Sequence, residues 1–374
     1  MVMIDWVTAK IPFYYPGIIS DGQMISVTRD GEVDYSVHKR LQLRGSFDGS
    51  ITIRTDQVDA DGNTCIAELS GNPVKFLQGH NIFGSDDLPN LVYETVERIV
   101  SILEIPQPKH FTNMILCGAY TVSRVDVNRM YTLNSRAEAN AYIYAMSQQC
   151  KTKSGAALLH KGTCYLNKDS RRWALKAYAK AQETELKRHN KQGCIDLPQE
   201  LKKWVDPTLR IEATLKSNEL RERGLHVAHN WFTMDTIEIH SDYVGRVEMY
   251  AQKPIDTAVL KDIKPRAAVS TYLHWKNGLD VTDPALIATR TFYRHRKALL
   301  EHGVDISMPP PKEDQVPASN VVPLIKTIEL KPAVIPDWVS GTEYLFEPRK
   351  LCNANVPAEI DLAHARKLGL VASA

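Results

Sequence analysis

Three stretches of the chain alternate hydrophobic and polar residues so regularly that each predicts a strand with one buried face. In RRWALKAYAK (171–180), Trp173, Leu175, Ala177 and Ala179 fall on one parity, and Arg172, Lys176, Tyr178 and Lys180 on the other. In LRIEATLK (209–216), Leu209, Ile211, Ala213 and Leu215 alternate with Arg210, Glu212, Thr214 and Lys216. In TVSRVDVNRMY (121–131), Val125 and Val127 oppose Arg124, Asp126 and Asn128. Further strands are expected at 4–11, closed by Pro12 and Pro16, and at 50–56 and 64–70, on either side of an Asp61-Gly62-Asn63 turn. Helical spacing (Val92, Val96, Ile99, Leu103) predicts a helix over 86–104, and others are expected near 136–149 and 179–192. Asp283-Pro284 at the start and Gly303 at the end predict a helix over 284–302. Its buried stripe would be Ala285, Ala288, Phe292, His295 and Leu299, with Arg290, Arg294, Lys297 and Glu301 outward. Strands interleaved with helices in this way predict an α+β fold, a mainly antiparallel sheet with helices packed on one face, over 1–225. The texture then changes to a smaller helical C-terminal domain at 226–306 and an extended Pro-rich arm and tail at 307–374.

Composition changes this picture in one respect. The 374 residues carry a formal charge of only +2, yet 16 Lys and Arg stand against 8 Asp and Glu between Lys151 and Arg221. A local basic block in a near-neutral protein fits a polyanionic partner, although such blocks are commonly solvated surface. The six cysteines show no CxxC pair and no Cys/His ligand spacing, which argues against a zinc module or a disulfide framework. Neither a basic leader nor a run of 18 apolar residues is present, so a cytosolic protein with no membrane span is expected.

The polar parities carry the candidate chemistry. Tyr178 flanked by Lys176 and Lys180 has the makings of a phosphoryl-transfer nucleophile, because cations ease phenolate formation and hold a phosphodiester. The rival reading is a solvated basic strand with a tyrosine at its rim. If the three strands lie side by side, Asp126 and Glu212 offer hard oxygens for Mg²⁺, or Mn²⁺ in its place, with Glu68 and Asp5 as further ligands. Each acid could instead pair with Arg124, Arg210 or a neighbouring lysine. His80, in QGHN, is a candidate general acid or base, or a hydrogen-bonded structural residue. Arg124, Arg172, Lys176 and Lys216 on the sheet, and Arg290, Arg294 and Lys297 on the late helix, are the candidate contacts to nucleic acid.

Several blocks resemble, in the same order, the gene II family of filamentous bacteriophage replication initiators. They are MIDWVTAKIPF, ELSGNPVKFLQGHNIFGSDDL, TVSRVDVN, SRRWALKAYAK, LRIEATLKSNELRERGL, FYRHRKALLEHGV and SNVVPLIKTIELKPAVIPDW. The resemblance implies a rolling-circle initiator nuclease, a strand-specific DNA endonuclease and ligase acting in the host bacterial cytoplasm. On that footing Tyr178 would attack the plus strand at the origin, leaving a 5′-phosphotyrosine and a free 3′-hydroxyl. Lys180 would steady the phosphate. Asp126 and Glu212, and less closely Glu68, match acidic positions of similar plasmid initiators, and Mg²⁺ or Mn²⁺ is the implied cofactor. The implied partners are double-stranded origin DNA, the single plus strand, and the host helicase, single-strand binding protein and DNA polymerase, with a multimer on the origin left open. The chain departs from the better-known rolling-circle nucleases in having no His-hydrophobe-His pair. It also has no methionine between Met249 and Met308 from which a short internal product could start. The alternative function is a non-catalytic origin-binding or regulatory protein.

Overall fold

A computed structural model describes residues 2–45, 49–185, 197–249, 255–308 except 257, residue 310, and 330–353. Strand β1 (Val2–Tyr15) is longer than expected. Pro12 stays within it opposite Ile66, and the register slips between Pro12 and Tyr15, an irregularity at which a missing N–H is tolerated. An outlying hairpin of β2 (Gln23–Val27) and β3 (Val33–His38) follows, then β4 (Leu41–Arg44), β5 (Ser50–Val58) and β6 (Thr64–Gly71). Helix α1 (Pro73–Gln78) is capped by the Asn72 side chain, with proline in its first turn, and ends at Gly79 in the left-handed region (φ 91°). Asp87 caps α2 (Leu88–Leu103), and α3 (Lys109–Leu116) leads to β7 (Thr121–Thr132). Ser135 caps α4 (Arg136–Gln149). Short strands β8 (Cys150–Thr152), β9 (Gly155–Ala156), β10 (Leu158–His160) and β11 (Thr163–Leu166) precede β12 (Trp173–Ala179). Then come α5 (Lys180–Glu185), α6 (Gln199–Val205), β13 (Thr208–Lys216), α7 (Ser217–Glu222), α8 (Thr236–Gly245) and β14 (Glu248–Met249). Helices α9 (Arg266–Lys276) and α10 (Thr289–Leu300) and the short strand β15 (Lys331–Pro332) complete the described chain.

The main sheet runs β10-β11-β12-β13-β7-β1-β6-β5-β4, with β15 added alongside β7, and every pairing is antiparallel. One face is apolar. Val7, Ala9, Val125, Val127, Leu175, Ala177, Ile211 and Ala213 join Leu91, Val92, Val96, Ile143, Ile239 and Tyr243 from α2, α4 and α8 in a single core cluster. The antiparallel sheet with helices on that face is the expected architecture. Residues 226–245, expected in the helical unit, instead lend Ala228, Trp231, Ile239 and Tyr243 to the sheet's core. A second cluster, including Ile263, Tyr272, Trp275, Phe292, Leu299 and Ile306, holds α9 against α10.

The helix expected over 284–302 begins five residues late. Asp283 does cap a turn, its Oδ1 accepting from the Ala285 N–H (2.9 Å), but that turn closes at Ile287 and Ala288 is extended (ψ 134°). Ala285 and Ala288 are accordingly exposed, whereas Phe292, His295 and Leu299 are buried as expected. The helix expected near 179–192 is described only to Glu185, and most of the Pro-rich arm lies outside the described residues.

Residues 330–353 form a strap across the sheet unit. The Ala333 N–H donates to the Met130 carbonyl (2.9 Å), Val339 packs with Ile82, Phe83, Leu201 and Val205, and the Phe346 N–H donates to Gln78 (2.7 Å). Arg349 makes a two-pronged pair with Glu94, and the Leu351 and Cys352 amides both donate to Asn90 Oδ1 (3.0 and 2.8 Å). No helix among the described residues is long and apolar enough to cross a membrane.

Candidate active site

Because β12, β13, β7 and β1 are adjacent, the polar parities of the three predicted strands meet on one face. Cross-strand partners share a face, so the register defines three rungs. Tyr178 stands opposite Arg210 and then Met130; Lys176 opposite Glu212 and then Asn128; Ala174 opposite Thr214, Asp126 and Trp6. Asp5 joins them by a different route. The β1–β7 register slips between Ile4 and Trp6, leaving Asp5 at a bulge, where its Oδ1 accepts from Asn72 and Asn81 (both 2.7 Å).

The site is covered by the turn after α1. Asn81 links three of its members, donating to Asp5 and accepting from Lys180 Nζ (2.8 Å), while the Asn81 and Ile82 carbonyls accept from Arg210 Nη2. Beneath this cover Tyr178 is 8% exposed and Glu212 fully buried, and the Tyr178 hydroxyl donates to Glu212 Oε2 across 3.4 Å. Burial raises the phenol well above its ordinary pKa; Arg210 opposes that shift, and Glu212 and Asp5 reinforce it. Lys176 lies over the Tyr178 ring, 5.6 Å from its centroid, but its charge is paired with Glu212. Its ammonium is 2.6 Å from Glu212 Oε1, and that carboxylate, followed by Asp126, outweighs burial and raises the lysine's pKa. Burial pushes Glu212 up; Lys176 pulls it back, and Asp126 and Asp5 push it further.

Lys180 is buried at the first position of α5, paired with Glu183 (2.5 Å). Burial, then Arg210, lowers it to about 8, against Glu183 and Asp5. Asp126 is gripped by Arg124 through both oxygens (2.8 and 2.6 Å), and the guanidinium lies 5.0 Å over Trp6. The sheet acids are therefore ion-paired, and one of them, Glu212, also meets the Tyr178 hydroxyl.

Other expected members stand apart. Glu68 lies on β6, three strands from β13, and faces Lys10 on a rung far along the sheet from that of Glu212 and Asn128; it is paired with Arg40 (2.5 Å) and Arg54 (2.9 Å). His80 Nδ1 accepts from the Ile82 N–H (3.3 Å), its ring is 6.3 Å from that of Tyr344, and it makes no hydrogen bond to Tyr178. Burial, helped by Lys180 and Arg210, lowers it to about 4, so it is a neutral part of the cover. Arg172 is engaged by Glu219 and Glu222, and Lys216 donates to the Ser170 carbonyl (2.5 Å). Arg290, Arg294 and Lys297 are exposed on α10, with no carboxylate paired to them among the described residues. Of the other tyrosines, Tyr165 sits beside Lys176 in register, whereas Tyr131, opposite Leu209, belongs to the core face.

Among the described residues no three His, Cys, Asp or Glu side chains stand close enough to form a metal cluster. Asp126 and Glu212 supply the hard oxygens that Mg²⁺ prefers. Beside Glu212 on β7, the amide of the fully buried Asn128 has no hydrogen-bond partner at either atom, so its oxygen is a third such donor. This donor chemistry fits a hydrated divalent ion.

Sequence reasoning missed Asn81 and Arg210 as members of the site. The first sits beside His80 in a turn that no periodicity marks. The second lies on the parity of Glu212, where the sequence suggests only an ion-pair partner.

Comparison with known proteins decides the family. Residues 3–234 match the family model for the N-terminal part of the phage replication-associated protein, the gene II product, and residues 261–343 match that for its C-terminal part. The chain belongs to the phage replication-associated protein family. The replication-associated protein of Enterobacteria phage I2-2 is 39% identical over 342 residues, covering 89% of this chain and 95% of that protein. The resemblance read from the ordered blocks thus holds over nearly the whole length. Among solved structures, a rolling circle replication initiator protein from Geobacillus stearothermophilus aligns over 68% of this chain and 89% of its own, at 11% identity and a TM-score of 0.32, too slight a likeness to bear on function.

Proposed function

We propose that this member of the replication-associated protein family initiates rolling-circle replication of a phage genome by nicking and resealing the plus strand at the origin. The observation that carries the reading is Tyr178, whose hydroxyl meets Glu212 on a strand face shared with Lys176, Arg210 and Asp126. In the proposed step the Tyr178 oxygen forms a bond to the scissile phosphorus as the bond to the 3′ oxygen breaks. The phenolic proton passes to Glu212, which is placed to return one to the departing 3′ oxygen. The product is a 5′-phosphotyrosine and a free 3′-hydroxyl, and the reverse reaction on the displaced strand reseals it. Asp126 and Asn128, with Glu212 while it is ionised, are the residues that would hold Mg²⁺ or Mn²⁺, which would neutralise charge on the phosphate. Origin duplex and single plus strand are the proposed substrates, in the host cytoplasm, with host helicase, single-strand binding protein and polymerase acting downstream. The exposed cations of α10 are proposed to contact the duplex backbone.

The test is incubation of the protein with Mg²⁺ and supercoiled DNA carrying its origin. Nicked circles with protein bound covalently at the 5′ end are expected. Retarded but intact DNA would leave an origin-binding regulator.

A further inference from the structure

Arg210 is the largest fully buried side chain in the described structure, and it stands directly across from Tyr178 in the β12–β13 register. Its hydrogen bonding is incomplete. Nη2 serves the carbonyls of Asn81 and Ile82, but Nε and Nη1 have no hydrogen-bond partner although both are buried. Asp5 Oδ1 lies 3.7 Å from Nη1, beyond hydrogen-bond range, and already accepts from Asn72 and Asn81. Other arginines of this chain are satisfied differently. Arg124, Arg296 and Arg349 each place two donors on one carboxylate. An interior guanidinium with unspent donors is costly to maintain, and the fork is the group best shaped to take phosphate oxygens.

We propose that Arg210 is the anion receptor of the site: its free donors take a non-bridging oxygen of the scissile phosphodiester and keep it once the phosphate is carried on Tyr178. The inference rests on the nicking reading above. It assigns Arg210 a catalytic contact where the bland reading has only a structural partner for Asp5 and the cover. Nη2 already anchors residues 81 and 82, so one side chain would hold both the cover and the phosphate beneath it.

The experiment compares single-turnover nicking of two origin duplexes by the full chain. One has the native diester at the nick, and the other a neutral methylphosphonate of defined configuration. Wild-type nicking of the diester establishes the underlying reading independently; without it, that reading fails first. Arg210→Gln should slow diester cleavage by roughly a hundredfold, the scale of losing a preorganised donor to a developing anion. It should slow cleavage of the methylphosphonate isomer that lacks the contacted oxygen by only a few-fold. Equal losses on both substrates would overturn the proposal and return Arg210 to a structural role. Thermal melting checks that the variant folds. If it does not, Arg210→Lys keeps the charge, loses the planar fork and is read by the same ratio, with a loss of about tenfold expected on the diester alone. Failure of both variants to fold would also count against it, since stability would then explain the residue.

Discussion

A buried tyrosine on a sheet face is an inert group until something removes its proton, and among the described residues the acceptor in contact with Tyr178 is Glu212. Tyr178→Phe keeps the ring and removes a long hydrogen bond, so melting should move by less than about 1 kcal/mol. Origin binding should persist while nicking and the covalent adduct disappear; nicking at the wild-type rate would pass the role to Tyr165, which shares this face beside Lys176. Glu212→Gln and Asp126→Asn should each abolish nicking with origin affinity little changed, and chelation should do the same. Full activity in EDTA would sink the metal assignment. The histidines give a separate pH prediction. Burial lowers His80 and His240 to about 4, so the fold binds their neutral forms. Their stabilisation is complete above about pH 6.5 and is lost as the pH falls toward 4, by up to roughly 3 kcal/mol apiece. Urea melts at pH 7 and 4.5 should show a smaller loss for His80→Asn than for wild type. Alternation alone placed Tyr178, Glu212 and Asp126 each on the polar side of its own strand, because period two survives any tertiary arrangement; the strand pairing then brought those sides onto one face. Asp5 and Asn81 were not legible as linked members of the site, since a bulge and a turn have no period.

At the scale of elements, the sheet puts the groups proposed to react on its centre and α10 puts three cations on a separate helix. The two placements should separate in experiment. Replacing Arg290, Arg294 and Lys297 together with alanine should weaken binding to any duplex and flatten the salt dependence by up to roughly three contacts. The single-turnover rate at saturating DNA should stay near wild type. An unchanged slope would leave α10 as a surface for a second copy or a host protein. Strand positions were readable because the sheet has one apolar face, which alternation reports. The start of α10 was not, because Asp283-Pro284 begins a turn whose continuation depends on packing that local sequence does not encode.

At the scale of the molecule, the strap ties the end of the described chain to the cover over Tyr178. Asn90 fastens it by accepting from the amides of Leu351 and Cys352, and it is almost fully buried. Asn90→Ala should therefore cost about 1–3 kcal/mol and hasten limited proteolysis within 340–353. An unaltered digestion pattern would mean that packing around Val339 holds the strap unaided. Nothing in the sequence announced this contact: Asn90 and Cys352 are 262 residues apart, and neither carries a motif.

The strap also sets an order of assembly during synthesis. Every strand that bears an acid or a tyrosine of the site has been translated by Lys216, whereas Val339, which packs against Ile82 and Phe83 of the cover, is translated only later. For the intervening stretch of translation, Ile82 and Phe83 lack Val339 and its neighbours. The nascent sheet is then an unclosed structure with an apolar seam, open to chaperones and to sticking between chains. A chain cut short anywhere before the strap would remain in that state.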